Sequence, residues 1–370
     1  MKSSLISSIV LASQVLALPS APAVRANTAV KYAGVNIAGF DFGMNTTGAQ
    51  DMSKVYPPLT ALGGPDGAGQ MSHFVKDDNL NIFRLPVTWQ YLSDSNIGTF
   101  DTTKVANYDK LVQACLTTGA TCIIDIHNYA RWNYEIIGQG GPSDASLVQL
   151  WTQLATKYKS STNIAFGVMN EPHDLDITTW GNTVQEVVTA IRTVGATSQM
   201  NRHETWLTNV VLLPGTDYTS AGSFNSTSGP ALSAVKNLDG STTNLIFDVH
   251  QYLDYDYSGT HTECVTDNIE SAWQPLANWL RQVKRQALNT ETGGGNTASC
   301  EQYLCSAINF MKREMRCGTL IVVSSNTDVF LGYVAWSAGS FDNTYELDLT
   351  PTWSGSSWTD TALMKACIAR

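Results

Sequence analysis

Residues 121–128 read Thr-Cys-Ile-Ile-Asp-Ile-His-Asn. The run Thr121–His127 is rich in β-branched residues, apolar along most of its length, and closes on polar side chains. That pattern predicts a parallel strand buried on both faces. Just upstream, Val105, Tyr108, Leu111, Val112 and Cys115 recur at helical spacing, and Gly119 stands where a helix would stop. The same unit of helical face followed by buried strand recurs along the chain. Further strands are predicted at Tyr32–Ala38, Asn81–Pro86, Ile164–Asn170, Leu207–Leu213, Leu245–His250, Gln286–Glu291 and Val329–Trp336. Leu147, Leu150, Trp151, Leu154, Ala155 and Tyr158 form a second helical face, behind Ser143 and Asp144 as cap candidates. Trp180, Val184, Val187, Val188 and Ile191 form a third.

The spacing of the polar strand ends is nearly constant. Arg84 and His127 are 43 residues apart, His127 and Glu171 44, and Glu171 and Glu291 120, or three intervals of 40. Eight strands with helices between them predict an α/β fold, a (β/α)8 TIM barrel forming a single catalytic domain over residues 30–370. An open doubly wound sheet is the rival, and it would carry a glycine-rich phosphate loop and a helix after its first strand. Here the first strand runs into Gly34-Val35-Asn36-Ile37-Ala38-Gly39 with no helical pattern adjacent.

Composition narrows the function. The 370 residues are 43% hydrophobic and only 15% charged, enough apolar content for a sizeable core, which excludes disorder as the main state. A formal charge of -10 argues against a nucleic-acid or anionic-membrane partner. Lys2, the apolar run Leu5–Leu18 and the small-residue site Val15-Leu16-Ala17 read as a secretory signal over residues 1–17. Residues 18–29, with Pro19 and Pro22, read as a pro-segment or short linker, and the product is expected outside the cell. Seven cysteines with no CxxC pair fit disulfides in an oxidising compartment rather than a zinc site. Cys115, in the last turn of a predicted helix, and Cys122, at the start of the next strand, are placed to bond across a short turn. Asn45-Thr46-Thr47 and Asn225-Ser226-Thr227 are glycosylation sequons.

In such a barrel, functional side chains stand where strands end. Those ends give Arg84, His127 with Asn128, Asn170 with Glu171, His250 with Tyr252, Glu291 and Trp336. Singly, each has an ordinary structural explanation: an ion-pair arginine, core histidines, packing aromatics. Together they describe a polar pocket with an aromatic wall and two glutamates, the natural acid/base and nucleophile pair. No metal and no cofactor are expected.

Phe83-Arg84-Leu85-Pro86, Asp125-Ile126-His127-Asn128, Asn170-Glu171-Pro172, Val249-His250-Gln251-Tyr252 and Thr290-Glu291-Thr292-Gly293-Gly294 resemble glycoside hydrolase family 5, and in particular its fungal endoglucanases. The likeness runs from about Val30 to the C-terminus and is dense in Ser241–Leu253 and Trp358–Arg370. It implies a barrel that cleaves internal β-1,4 links of a polysaccharide, a β-glucan, with retention of configuration. By motif, Glu171 matches the general acid/base and Glu291 the nucleophile. Arg84, His127, Asn170, His250, Tyr252 and Trp336 match the residues lining the cleavage subsite. The chemistry agrees. Arg84 beside Glu291 would hold it anionic, Tyr252 could donate to the same carboxylate, and Asn170 could bond a sugar 2-hydroxyl. Trp336, and Trp132 further along the cleft, offer flat faces to a pyranose ring. The resemblance also implies the pairs Cys264–Cys300 and Cys305–Cys367, which spacing alone leaves open, with Cys317 left over. Other family specificities (β-mannanase, exo-1,3-glucanase), transglycosylation, and a non-catalytic carbohydrate-binding barrel are the alternatives. Nothing in the sequence demands more than a monomer.

The chain departs from those relatives in three ways. It carries no cysteine-rich cellulose-binding module or Ser/Thr/Pro-rich linker, so a bare catalytic domain is expected. Met44 and Gln50 stand where relatives place a cysteine pair. Two segments look inserted, near Met200–Val210 and Lys312–Ser324, both ahead of a strand and so on the face opposite the site, where added loop length costs little. The second holds Cys317 and the apolar run Leu320-Ile321-Val322-Val323, an unusual pairing for a secreted surface, and one or both segments read as translated introns; the alternative is that Lys312–Ser324 extends a helix and packs its apolar run under the barrel. Peptides from the native secreted protein are expected to lack Cys317, and deletion of Lys312–Ser324 is expected to leave activity intact. A peptide spanning Cys317 would exclude the intron reading.

Overall fold

The computed structural model describes residues 30–59, 66–195, 209–312 and 326–370. Eight strands close a barrel: β1 (Tyr32–Ala38), β2 (Ile82–Val87), β3 (Thr121–Ile126), β4 (Ile164–Gly167), β5 (Val211–Pro214), β6 (Leu245–His250), β7 (Ala287–Glu291) and β8 (Phe330–Gly339). Each pairs in parallel with the next, and β8 pairs back with β1. This is the expected (β/α)8 architecture. Helices such as Thr102–Thr117, Asp144–Tyr158, Ile177–Thr193 and Ala298–Lys312 pack around it.

The two-residue period of the strands sorts the barrel interior into levels. Ile82, Ile123, Ala165, Leu212, Ile246, Leu288 and Leu331, one from each strand β2 to β8, form an apolar plug separate from the larger core under the helices. On β1 the matching position is Gly34, where a Cβ would lie 1.8 Å from the Ile82 carbonyl oxygen. Two residues further on, the chemistry changes. Asn36, Arg84, Asp125, Asp248 and Thr290 are all buried and make a polar level above the plug. The site stands on that level.

Helix starts follow local chemistry. Asp66, Asp101 and Asp176 accept from the backbone N–H of Gly69, Lys104 and Thr179 at 2.8, 2.8 and 2.7 Å. Such caps contribute about 1 kcal/mol each. The indoles of Trp151 and Trp180 donate to the carbonyls of Val168 and Pro214, at 3.1 and 2.9 Å, pinning two helices to the sheet. Gly119 ends Thr102–Thr117 at φ +82°, as its position suggests. Ser143 does occupy the cap of Asp144–Tyr158 but makes no side-chain cap bond, and the Asp144 carboxylate instead accepts from Thr183 at 2.6 Å.

Three strand limits differ from the sequence reading by more than one residue. β4 ends at Gly167, so Asn170 and Glu171 lie in the loop beyond it, with the Asn170 N–H still bonded to Ile126 O at 2.8 Å. β8 continues to Gly339, and β5 starts at Val211. The leader, residues 1–29, lies outside the described residues, as do residues 196–208 and 313–325, which hold most of both inserted segments and Cys317. The residues flanking those segments do sit between a helix end and the next strand. Met44 and Gln50 face one another in an antiparallel bridge, and Gln50 Oε1 accepts from Thr88 at 2.5 Å, so a backbone bridge and a polar contact hold this segment. Among the described residues no helix is long and apolar enough to cross a membrane.

Cys115–Cys122, Cys264–Cys300 and Cys305–Cys367 are bonded, with Cα separations of 6.1, 4.9 and 5.2 Å. The first closes a short loop on the barrel's N-terminal side, away from the polar strand ends. Replacing both Cys115 and Cys122 by Ser is expected to lower unfolding free energy by about 2 kcal/mol through loop entropy. Denaturant titration checks this, with activity at ordinary temperature unchanged.

Candidate active site

Eight of the nine side chains chosen from the sequence meet at the C-terminal mouth of the barrel. Arg84, fully buried, is the hub. Its Nη1 donates to Glu291 Oε1 and, at 3.1 Å, to Asn36 Oδ1. Its Nη2 donates to Asn170 Oδ1 at 2.6 Å and lies 2.9 Å from Asp125 Oδ1. Asn36 is fixed in turn by donating to the carbonyls of Thr290 and Ala335, at 3.0 and 3.1 Å. Burial works against the Arg84 charge, but Asp125, Glu291 and Asp248 outweigh it, so the guanidinium stays charged.

Glu291 is 4% exposed. Its Oε2 accepts from the Tyr252 hydroxyl at 2.8 Å. Burial opposes its ionisation; the positive groups His250, Arg84 and His127 and the Tyr252 hydrogen bond act the other way and hold the carboxyl below its usual range. Only Arg84 among those three is charged at every working pH, so it secures the anion.

Glu171 is held differently. It follows β4 in the loop with φ +39°, a left-handed backbone that costs a side-chain-bearing residue strain of about 1–3 kcal/mol. Its Oε1 lies 2.7 Å from His250 Nδ1. A carboxyl oxygen of Glu171, one of Glu291 and a His250 ring nitrogen all lie within 4.8 Å of one another. Each already has a protein partner in His250, Arg84 or Tyr252, which fits acid/base work. Two other groups of carboxylates around a histidine, at His73 and at His261, lie elsewhere.

The wall is aromatic. Trp336 stacks on His127 with centroids 5.5 Å apart and planes 18° apart, and its indole donates to Tyr345 Oη at 2.8 Å. Tyr345 itself stacks on Phe341 at 3.8 Å. His127 is anchored by Asp125 Oδ2, 2.8 Å from Nδ1. Asn170 Nδ2 is buried and, among the described residues, has no hydrogen-bond partner. Trp132 stands apart from this cluster. It is 9% exposed and packs edge-on against Trp89 at 5.2 Å, on a two-strand hairpin.

Asn36, Asp125, Asp248, Thr290, Tyr345 and Tyr129, whose ring meets His127 edge-on at 5.7 Å, were not among the residues picked from the sequence. The first four carry a usable signal, a polar residue two places beyond an inward apolar one on a strand. Tyr129 and Tyr345 carry none, since loops place them. Asn45 is exposed, and its side-chain carbonyl accepts from Thr47 N–H and Oγ1 at 3.0 and 2.6 Å; Asn225 is half-buried in a short helix.

Comparison with known proteins agrees with this geometry. The family described as cellulase, glycosyl hydrolase family 5, matches residues 35–339. Endoglucanase EG-II of Hypocrea jecorina is 58% identical over 350 residues, covering 93% of this chain and 78% of that protein. The crystal structure of Cel5A (EG2) from Hypocrea jecorina (Trichoderma reesei) superposes with a TM-score of 0.84 at 57% identity, over 92% of this chain and 99% of that one. A structure of XacCel5A in complex with cellopentaose superposes with a TM-score of 0.74 at 29% identity, over 91% of this chain and 99% of that one. With its barrel, its paired glutamates and these relatives in agreement, the chain belongs to glycosyl hydrolase family 5, the cellulases, and is an endoglucanase of that family.

Proposed function

We propose that this endoglucanase cleaves internal β-1,4 bonds of cellulose and related β-glucans by double displacement, with Glu291 as nucleophile and Glu171 as acid/base. The observation that carries the reading is the separation of the two carboxyls. Oxygens within 4.8 Å suit a retaining enzyme, whose carboxyls stand about 5–5.5 Å apart; an inverting one needs about 6.5–9.5 Å to admit water. Glu291, ionised beside Arg84, attacks the anomeric carbon while Glu171 protonates the departing glycosidic oxygen. Glu171, now a carboxylate, then takes a proton from water, which attacks the glycosyl–Glu291 ester and frees the second product with net retention.

The remaining residues orient the sugar. Asn170, whose Nδ2 has no acceptor among the described residues, donates to the 2-hydroxyl, a contact that strengthens as oxocarbenium character develops. Trp336 and His127 present stacked ring surface to the pyranose. Trp132, packed edge-on against Trp89 and apart from this pair, serves at the margin of the cleft. The signal-like leader supports secretion, with the barrel working extracellularly as a monomer and Asn45 the better exposed of the two glycan acceptors.

Two tests follow. Glu171→Gln is expected to lower the rate on cellulose-like substrates by about 10²–10⁴-fold. Formation of the glycosyl-enzyme from an aryl cellobioside with a good leaving group is expected to persist in that variant. Glu291→Gln is expected to lose both. Mass spectrometry after a fluorinated cellobioside that labelled any residue other than Glu291 would overturn the assignment. In Tyr252→Phe the Glu291 carboxylate loses a donor that favours its charged form, so its pKa rises. The acid limb of kcat/KM, below which Glu291 is protonated and cannot attack, is therefore expected to move to higher pH, as a pH–rate profile on carboxymethyl cellulose would show.

A further inference from the structure

We propose that Asp248 and Thr290, which no step above uses, fix the tautomer of His250 so that Glu171 keeps the proton it delivers; this deepens, and rests on, the reading of Glu171 as the acid. Asp248 lies on β6 two residues before His250 and is 1% exposed. Its Oδ1 accepts from the Thr290 hydroxyl, on β7. Asp248 Oδ2 has no hydrogen-bond partner among the described residues. Thr290 Oγ1 in turn lies 2.9 Å from His250 Nε2.

A hydroxyl has one proton and an ionised carboxylate has none. Burial pushes the Asp248 carboxyl up, while His250, Arg84 and the Thr290 hydrogen bond favour its anion; with Asp248 ionised, Thr290 gives its proton to Asp248 and can only accept on the other side. His250 therefore carries hydrogen on Nε2, and Nδ1 becomes the lone-pair side of the neutral ring. Nδ1 is the atom 2.7 Å from Glu171 Oε1. A hydrogen bond there needs a proton from Glu171 as the acid, or an imidazolium. The opposite tautomer, with hydrogen on Nδ1, would donate to an ionised Glu171 and stabilise the form that cannot act as acid.

The two ends of the chain are thus coupled. Reversing every bond passes the Glu171 proton to Nδ1, the Nε2 proton to Thr290 Oγ1, and the Thr290 proton to Asp248 Oδ1, a net transfer of one proton from Glu171 to Asp248. Asp248 must be the anion for Glu171 to be the acid. The groups facing His250 are Glu171 from the loop after β4, Glu291 on β7 with Oε2 3.6 Å from Nδ1, and Asp248 on its own strand. Burial disfavours a charged ring, but these three carboxylates outweigh it and hold His250 above its usual pKa, so the neutral tautomer is the form on the alkaline side of the profile, where the tests below read it.

Thr290→Val preserves shape and cuts the chain. On cello-oligosaccharides the alkaline limb of its kcat/KM profile is expected to fall by about one pH unit, and the rate at the wild-type optimum by about tenfold. Thr290→Ser is expected to restore both. Glycosyl-enzyme formation from dinitrophenyl cellobioside, which needs little acid help, is expected to stay near wild type. A wild-type profile in Thr290→Val, or equal losses on both substrates, would overturn the proposal. A readout that needs no variant is the ¹⁵N shifts of the His250 ring in the intact enzyme above its pKa: protonated Nε2 with bare Nδ1 supports the proposal, and the reverse refutes it. Failure of the acid assignment itself would show separately, as loss of the aryl-substrate burst in Glu171→Gln.

Discussion

Arg84 keeps a full positive charge at a position with no solvent exposure, and that constraint organises the mouth of the barrel. Taking such an ion out of water costs several kcal/mol, recovered only when its hydrogens meet well-placed acceptors. Asp125, Glu291, Asn170 and Asn36 supply them from four directions. The same bonds aim Glu291, the proposed nucleophile, orient the amide proposed to meet the 2-hydroxyl, and fix the carboxylate that anchors His127. Removing the guanidinium would leave Asp125 and Glu291 as buried, uncompensated charges, so the residue serves fold and chemistry together.

The barrel makes this arrangement possible by dividing its interior. At one level seven apolar side chains exclude water. One strand repeat higher, five strands place polar side chains inward, and hydrogen bonds join Asn36 to Arg84, Arg84 to Asn170 and Thr290 to Asp248. Charges set on a dry plug feel a low effective dielectric, so each placed donor counts for more than in water. A rigid closed sheet also holds these atoms in place without help from the loops, which is where precision matters.

The two glutamates differ because their partners differ. Glu291 ends a strand and is tied to a cation that cannot lose its proton. Glu171 sits on a strained loop residue against an imidazole, whose charge can change. Two like carboxyls a few ångströms apart thereby stand in different electrostatic surroundings, the kind of division that the proposed acid and nucleophile roles require. The aromatic wall adds shape rather than charge: Trp336 is locked between His127, Tyr345 and the Phe341 ring, leaving its orientation little freedom.

The order of strands and the identity of the strand-end residues were legible in the sequence because both follow from local rules. A parallel strand buried on both faces is mostly apolar and turns polar toward the mouth, so Arg84, His127, His250 and Glu291 announced themselves. The pair Cys115–Cys122 was legible for the same reason, since seven residues separate a helix end from a strand start. Cys264–Cys300 and Cys305–Cys367 were not, because nothing local relates residues 36 and 62 apart; the likeness to family 5 supplied them. The end of β4 at Gly167, the loop position of Glu171 and the packing of Trp132 on Trp89 needed the folded chain. So did the polar level of Asn36, Asp125, Asp248 and Thr290. Each of these looks from sequence like an ordinary interruption of an apolar strand. Only closure of the barrel brings residues up to 254 positions apart within hydrogen-bond reach, and that proximity makes them one site.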